Sequence, residues 1–309
     1  MGLATAEIKL DAQTIGAFER ELEEQESIVI KRVLPDYKAA NGTLFQIKTT
    51  NQPGIETSSF KMVDGVGMME LRSGRSTNLP EVELTGEEFT QRAYSYDTGY
   101  RLSETEIAAS LLRQIPIEEQ KIQLVQQVYT EHLNKITLFG DRKTGTPGFI
   151  NHPAWLRFVA PSKLDSSVAD TDSFLATLNA PVQAMKSATG KTMKPDTLLL
   201  PERRYDYLTS QARLTTLNDK SVLSFFLANN PSIRNIDYLP ELEEAGPNGE
   251  DIAIAYKRDP SCFHCRIIDA FRPRPLFQVN PFEVYRAYSF KYLGFKVYQK
   301  YSAVVMIGV

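Results

Sequence analysis

The stretch LFGDRKTGTPGFINHP, Leu138 to Pro153, places three glycines and two prolines in sixteen residues directly behind a helical pattern. Glycine-rich turns beside helices can present backbone amides to phosphate. The Walker pattern Gly-x-x-x-x-Gly-Lys-Ser/Thr nevertheless fails here at both ends. A second candidate, Gly190-Lys191-Thr192, has Met185 where that pattern needs its first glycine, and it closes a helical stretch instead of opening one. It reads as a helix cap. Cys262 and Cys265 flank His264 in CFHCRIIDAF, a spacing that suggests zinc or redox chemistry. A structural zinc site takes four ligands, and the chain has two cysteines and three histidines in all. The β-branched run that follows reads as strand, so both thiols are read as ordinary strand residues. His132 falls in a long helical pattern, where it packs or faces solvent, and His152 in a turn; neither sits in a triad context. The acidic pairs Glu87-Glu88, Glu118-Glu119 and Glu243-Glu244 could do acid–base work, but they read as surface and first-turn residues. Aromatic residues near the C-terminus, with Lys291, Lys296 and Lys300, fit stacking on single-stranded nucleic acid. Their alternation fits a buried sheet better, with those lysines on its wet face. No catalytic set, cofactor site or metal site emerges, and the chain is read as a non-enzyme.

The totals agree with a soluble globular protein: 309 residues, 42% hydrophobic, 24% charged, net charge −3. That charge gives no general pull toward nucleic acid or anionic membrane. No apolar run reaches the roughly 18–20 residues that span a bilayer. The opening MGLATAEIKLDAQTIG lacks the basic and apolar regions of a secretory signal. Use in a cytoplasm, with no membrane partner, is the expectation.

The elements that would position these residues follow in a definite order. Residues 11–25 read as a short acidic helix, and 27–51 as an extended arm broken by Pro35 and Asn41-Gly42. Two β legs follow, around Ser58–Val63 and Glu81–Leu102, with Gly65, Gly67, Gly74 and Pro80 between them. So thin a hairpin cannot bury itself and must lean on its own core or on a neighbour. At Ser103 the period changes. Ser103 and Glu106 form a capping box, and Ile107, Ala108, Leu111, Leu112 and Ile115 make a helical stripe. Pro116 ends that helix and starts another, whose stripe is Ile122, Val125, Tyr129, Leu133 and Ile136, stopped by Gly140. A section alternating helix and strand follows: a helix through Lys186 with Pro181 inside it, strand DTLLLP, helices ERRYDYLTSQAR and SVLSFFLANNP, strand IRNIDYLPEL leading outward, and a strand after the turn at Gly249. The tail alternates Phe282, Val284, Tyr288, Phe290 and Tyr292 inward, slips at a bulge or turn at Gly294, and ends on the apolar SAVVMIGV.

That order of elements, with MVDGVGMMELRSG, YDTGYRLSETEI, RQIPIEEQKIQLVQQVYTEHLNKITLFGDRKTGTPGFINHP, PDTLLLPERRYDYL and VYQKYSAVVMIGV, resembles the major capsid proteins of tailed bacteriophages and prophages. The resemblance implies an α+β chain with the Hong Kong 97 (Johnson) fold. Residues 1–43 would be an N-terminal arm and 44–102 an extended β loop over a neighbour. Residues 103–164 would hold the spine helix and the first part of the peripheral domain, 165–275 the axial domain, and 276–309 the returning peripheral strands. The Gly140–Pro153 stretch would simply redirect the chain. Asp64, Gly65, Gly67, Arg72, Gly74 and Arg75 are the interface candidates on the loop.

By the same resemblance, pentamers and hexamers would build an icosahedral virion shell, assembled in the host bacterial cytoplasm. The shell would enclose double-stranded DNA without sequence specificity, with scaffolding, portal and decoration proteins as further partners. Some relatives weld subunits by Lys–Asn isopeptide bonds from a lysine on the loop. No lysine lies between Lys61 and Lys121 here, and Arg72 and Arg75 cannot replace it, so no weld through the loop tip is expected. The rival readings are an encapsulin-like compartment with a protein cargo, and an α/β enzyme with an unrecognised site.

Overall fold

The computed structural model describes residues 36–66, 83–113, 117–165, 171–210 and 221–309. The expected acidic helix at 11–25, the start of the arm, Pro80, Ile115 and Pro116 lie outside them. In chain order the elements begin with β1 (Ile47–Thr49), β2 (Thr57–Val66), β3 (Glu83–Arg92) and β4 (Tyr94–Ser103). Helices α1 (Glu104–Arg113) and α2 (Ile117–Phe139) come next, then the short strands β5 (Gly140–Asp141), β6 (Thr146–Pro147) and β7 (Leu156–Val159). The middle holds α3 (Thr171–Ala188), β8 (Thr197–Leu200), α4 (Glu202–Ser210), α5 (Val222–Asn229) and β9 (Asn235–Tyr238). The last strands are β10 (Ile252–Tyr256), β11 (Phe263–Pro273), β12 (Phe277–Asn280), β13 (Glu283–Val297) and β14 (Ala303–Ile307).

Two five-stranded sheets organise these elements. The first runs β1-β11-β13, with β4 on the far edge of β13 and β12 continuing along the near edge where β11 leaves it. The second runs β7-β14-β10-β8-β9. Leu199, Ile254 and Val305 face one core, while Leu198, Leu200, Ala253, Ala255 and Met306 face another beneath α3, α4 and α5. Burial on both faces explains why TLLL, IAIAY and AVVMI are continuous apolar runs without alternation.

Several sequence expectations are met at the level of single bonds. The Ser103 hydroxyl accepts from the Glu106 amide at 3.2 Å, and the Glu106 carboxylate accepts from the Ser103 amide at 3.1 Å. This is the reciprocal capping box. Helix α2 ends at Gly140, whose φ of 74° an L side chain rarely adopts. Helix α3 ends where Gly190 and Lys191 take positive φ and the Lys191 amide bonds back to the Lys186 carbonyl at 2.6 Å. Gly294 marks a bulge: Arg266 pairs with Gly294 and Ile267 with Tyr292, leaving Leu293 as the extra residue.

Other expectations need correction. Residues 36–46 are no free arm: Ala39, Leu44 and Phe45 are buried in the first core. The Tyr256 hydroxyl donates to the Leu44 carbonyl at 2.7 Å, and Lys38 pairs with Asp237 at 2.7 Å. Strand β9 does not lead outward but lies parallel to β8 as the sheet's edge. The two terminal strands part company, β13 into the first sheet and β14 into the second. Lys296 is not on a wet face; it is 3% exposed, because the root of the β2–β3 ribbon lies over it. Phe282, expected inward, is 68% exposed, since it sits in the turn ahead of β13 and not in the strand itself.

Candidate assembly surfaces

The Leu138–Pro153 stretch spends its polar groups on the chain itself. After the β5–β6 turn the backbone returns, so that the Phe149 amide bonds the Thr137 carbonyl at 2.8 Å and the Ile150 amide bonds the Leu138 carbonyl at 2.9 Å. Asn151 takes the Gly148 amide on its Oδ1 and donates Nδ2 to the Phe139 carbonyl at 2.7 Å. The last carbonyls of α2 are thereby satisfied by protein, as a buried helix end requires. These amides already have partners, so they do not form a phosphate cradle. Phe149 is driven into the core among Phe45, Trp155, Tyr256 and Phe295.

The other chemistry candidates are packing residues too. Cys265 is fully enclosed near the Tyr292 hydroxyl, and burial pushes its thiol up to about 12, far from a reactive thiolate. Cys262 donates to Gln299 at 3.2 Å. His132 packs on Tyr96 and Phe290. His152 accepts the Ala154 amide on Nδ1 at 3.2 Å, a turn role. Among the described residues no three His, Cys, Asp or Glu side chains are grouped to hold a metal ion, and no helix is long and apolar enough to cross a membrane.

Two surfaces have no covering partner among the described residues. The first is the ribbon of β2 and β3, paired without a slip from Thr57–Arg92 to Val66–Glu83. Its root is fixed firmly. Lys296 Nζ donates to Ser58 Oγ at 2.6 Å, Gln91 Nε2 donates to the Phe295 carbonyl at 2.6 Å, and Phe60 stacks on Phe89 and abuts Tyr298. Beyond that root a two-stranded ladder has little to sustain it in water. Of the expected interface residues, Asp64 pairs with Thr85 and Gly65 with Leu84; Gly67, Arg72, Gly74 and Arg75 lie outside the described residues.

The second surface escaped the sequence reading. The β12–β13 hairpin exposes Leu276, Phe277, Val279 and Phe282, with Phe277 at 66%. It is tied to the start of α1 by the Glu104 amide, which donates to the Phe282 carbonyl at 2.8 Å. On the helices, Ile107, Leu112, Leu124 and Val128 are exposed as well. The signal was present in PLFQVNPF, where Leu276 and Phe277 stand side by side ahead of the Asn280-Pro281 turn and cannot share one face of a strand. Exposed apolar groups in such number mark a protein contact.

The family model for the major capsid protein matches residues 67–309. The chain belongs to the major capsid protein family. It shares its fold with a chain from the capsid of Myoviridae phage XM1, at 15% identity and a TM-score of 0.79, over 100% of this chain and 99% of that one. A chain from Microbacterium phage Oxtober96 gives 12% identity, a TM-score of 0.62 and coverage of 96% and 98%. A chain from the capsid of the native GTA particle gives 10% identity, a TM-score of 0.60 and coverage of 96% and 99%. No curated protein matches by sequence. The α+β chain is thus a major capsid protein with a Hong Kong 97-like fold, a structural component of a virion shell.

In this capsid protein the ribbon root also carries a titrating group. His264 is 4% exposed, and its Nδ1 has no hydrogen-bond partner among the described residues. Around it stand Lys48 on β1, Arg266 on β11 and Lys296 on β13, with the Tyr298 ring against it. Burial first, then these cations, hold the imidazole down from 6.5 to about 4. Burial alone does the same to His152. A folded-state value below the unfolded one means the unfolded chain binds more protons between those limits. The stabilisation is therefore full above pH 6.5 and is lost as pH falls toward 4. Chemical denaturation of free subunits should show a falling midpoint across that window. His264→Gln should flatten the fall, whereas superimposable wild-type and variant slopes would contradict it.

Proposed function

We propose that this capsid protein assembles through the ribbon and the β12–β13 hairpin into pentamers and hexamers of an icosahedral shell, built in the bacterial cytoplasm around double-stranded DNA. The observation that carries this reading is the pair of surfaces left uncovered among the described residues, which otherwise pack well. Of residues 1–43 the part from 36 on is anchored in the core; within 44–102 the β2–β3 ribbon reaches a neighbour, 103–164 hold the spine with the first peripheral part, 165–275 the axial domain, and of 276–309 β13 returns to the first sheet while β14 completes the second. Symmetric repetition lets elements too thin to fold alone bury their surface on copies of themselves. The net charge of −3 suits a container that must not grip its contents. The family match favours this virion role over a compartment with protein cargo. Scaffolding, portal and decoration proteins are the further partners of such a shell.

Electron microscopy of particles from infected or expressing cells, with assay of nuclease-protected DNA, tests the proposal. Closed shells holding protected double-stranded DNA support it; discrete small oligomers or shells filled with another protein defeat it. The same particles, boiled in detergent, should run as single chains, because no lysine lies between Lys61 and Lys121 and the loop tip has none to weld with.

A further inference from the structure

One end of the second sheet, where β8 and β9 begin and β10 ends, carries a groove of about 420 Å³ lined by Lys194, Arg234, Lys257 and Arg258 together with Asp196 and Asp259. Its two carboxylates are already engaged. Asp196 accepts from the Arg258 amide at 2.8 Å and the Thr197 hydroxyl at 2.9 Å, while Asp259 accepts from the Ser261 amide and hydroxyl at 2.9 and 2.7 Å. Lys257 approaches Asp259 at 3.8 Å. Lys194, Arg234 and Arg258 are exposed, and among the described residues no acid pairs with them. Past Arg258 and Pro260 the groove continues into a second depression of about 270 Å³, which reaches Gly42 and Phe45. It therefore reaches the later part of the 36–46 segment, six residues past Asp36.

The chain supplies a complementary segment close at hand. Within residues 19–26, ERELEEQE, Glu19, Glu21, Glu23, Glu24 and Glu26 stand against Arg20 alone. Nine residues lie between Glu26 and Asp36, ten steps of chain that reach about 33–36 Å when extended. We propose that in a free subunit the acidic segment Glu19–Glu26 docks in the basic groove of its own chain and straps the arm across the end of the second sheet. Tethering gives the segment an effective concentration of about a millimolar, so several individually weak ion pairs suffice. A phosphate backbone, with its unbroken run of charge, would meet Asp196 and Asp259 on the groove wall. A peptide can place its carboxylates between them.

Zero-length carbodiimide coupling on the dilute full-length chain tests this, using an equal mixture of unlabelled and nitrogen-isotope-labelled protein. Mass spectrometry should find links from Glu19–Glu26 to Lys194 or Lys257 within single chains. The yield should fall roughly fivefold or more in Arg234→Glu/Arg258→Glu, or when salt shortens the Debye length to about 3 Å. Adding Glu23→Lys/Glu24→Lys to that variant should restore it. Absence of links, links indifferent to charge reversal, or links of which about half join a labelled to an unlabelled chain, the share random pairing gives, would overturn the strap. So would short duplex DNA that binds the wild-type groove, is lost in Arg234→Glu/Arg258→Glu, and leaves the arm unlinked.

Discussion

Replacing Phe277 and Phe282 together with glutamate should give a subunit that folds normally and fails to form particles. Both rings are about two-thirds exposed, at 66% and 68%, so the folded monomer has little invested in them. Exposed substitutions of this kind change stability by about 0.5 kcal/mol or less. The assembled state is affected quite differently. Burying a phenylalanine side chain contributes about 1.5–3 kcal/mol, and a carboxylate put in its place must be desolvated without a partner. Losing about 3 kcal/mol per subunit already raises the concentration needed for assembly at least a hundredfold, and every copy in a shell carries the defect. Circular dichroism melting and sedimentation velocity separate the two effects. An unchanged melt with no fast-sedimenting species is the expected result; particles at the wild-type concentration would show that the hairpin is not an assembly contact.

Gly148→Ala should do the opposite and damage the fold itself. A Cβ at position 148 would fall on the Gly140 nitrogen and the Leu138 carbonyl oxygen, all backbone, and Gly140 has no room to retreat because its own Cβ position meets Gly148 and Thr146. The two glycines let the returning strand cross the end of α2 at contact distance. Forcing them apart breaks the amide bonds from Phe149 and Ile150 to the helix carbonyls and withdraws Phe149 from the core. A cost of about 3 kcal/mol or more follows, from a lost cap and disturbed packing together. Gly145→Ala is the control. It sits in the same loop with φ of 70° but faces open space, so backbone strain of about 1 kcal/mol is the whole penalty. Urea denaturation of unassembled subunits should rank them so. Equal midpoints for the two variants would mean that the crossing carries no special constraint.

Local signals made much of this structure readable in advance. Ser103 and Glu106 announce a helix start through a bond pattern needing four residues, and Gly140 and Gly294 announce backbone that other residues resist. The apolar runs of β8, β10 and β14 announce burial on both faces. What stayed hidden depends on distant parts of the chain. Nothing near Lys296 says that Ser58 and Phe60 will lie across it, so alternation placed it in water. Nothing near Leu44 says that the Tyr256 hydroxyl will claim its carbonyl, so residues 36–46 read as a free arm. Phe282 continued a correct alternation back past the start of the strand, into the turn ahead of it. Its neighbours Leu276 and Phe277 failed to alternate, and that failure was the legible sign of a surface awaiting a partner. Asp64 and Gly65, read as lying past the end of the first leg, belong to β2 itself and pair across the ribbon, while the expected loop tip lies beyond the described residues.

The central claim is that neighbouring copies supply the stability this ribbon lacks on its own. Amide hydrogen exchange over Thr57–Val66 and Glu83–Arg92, in free subunits and in assembled particles, tests it most directly. Fast exchange in the free chain beyond the Phe60–Phe89 pair, slowed by roughly a hundredfold or more on assembly, is the predicted result. Equal and strong protection in both states would contradict it, because the ribbon would then be holding itself.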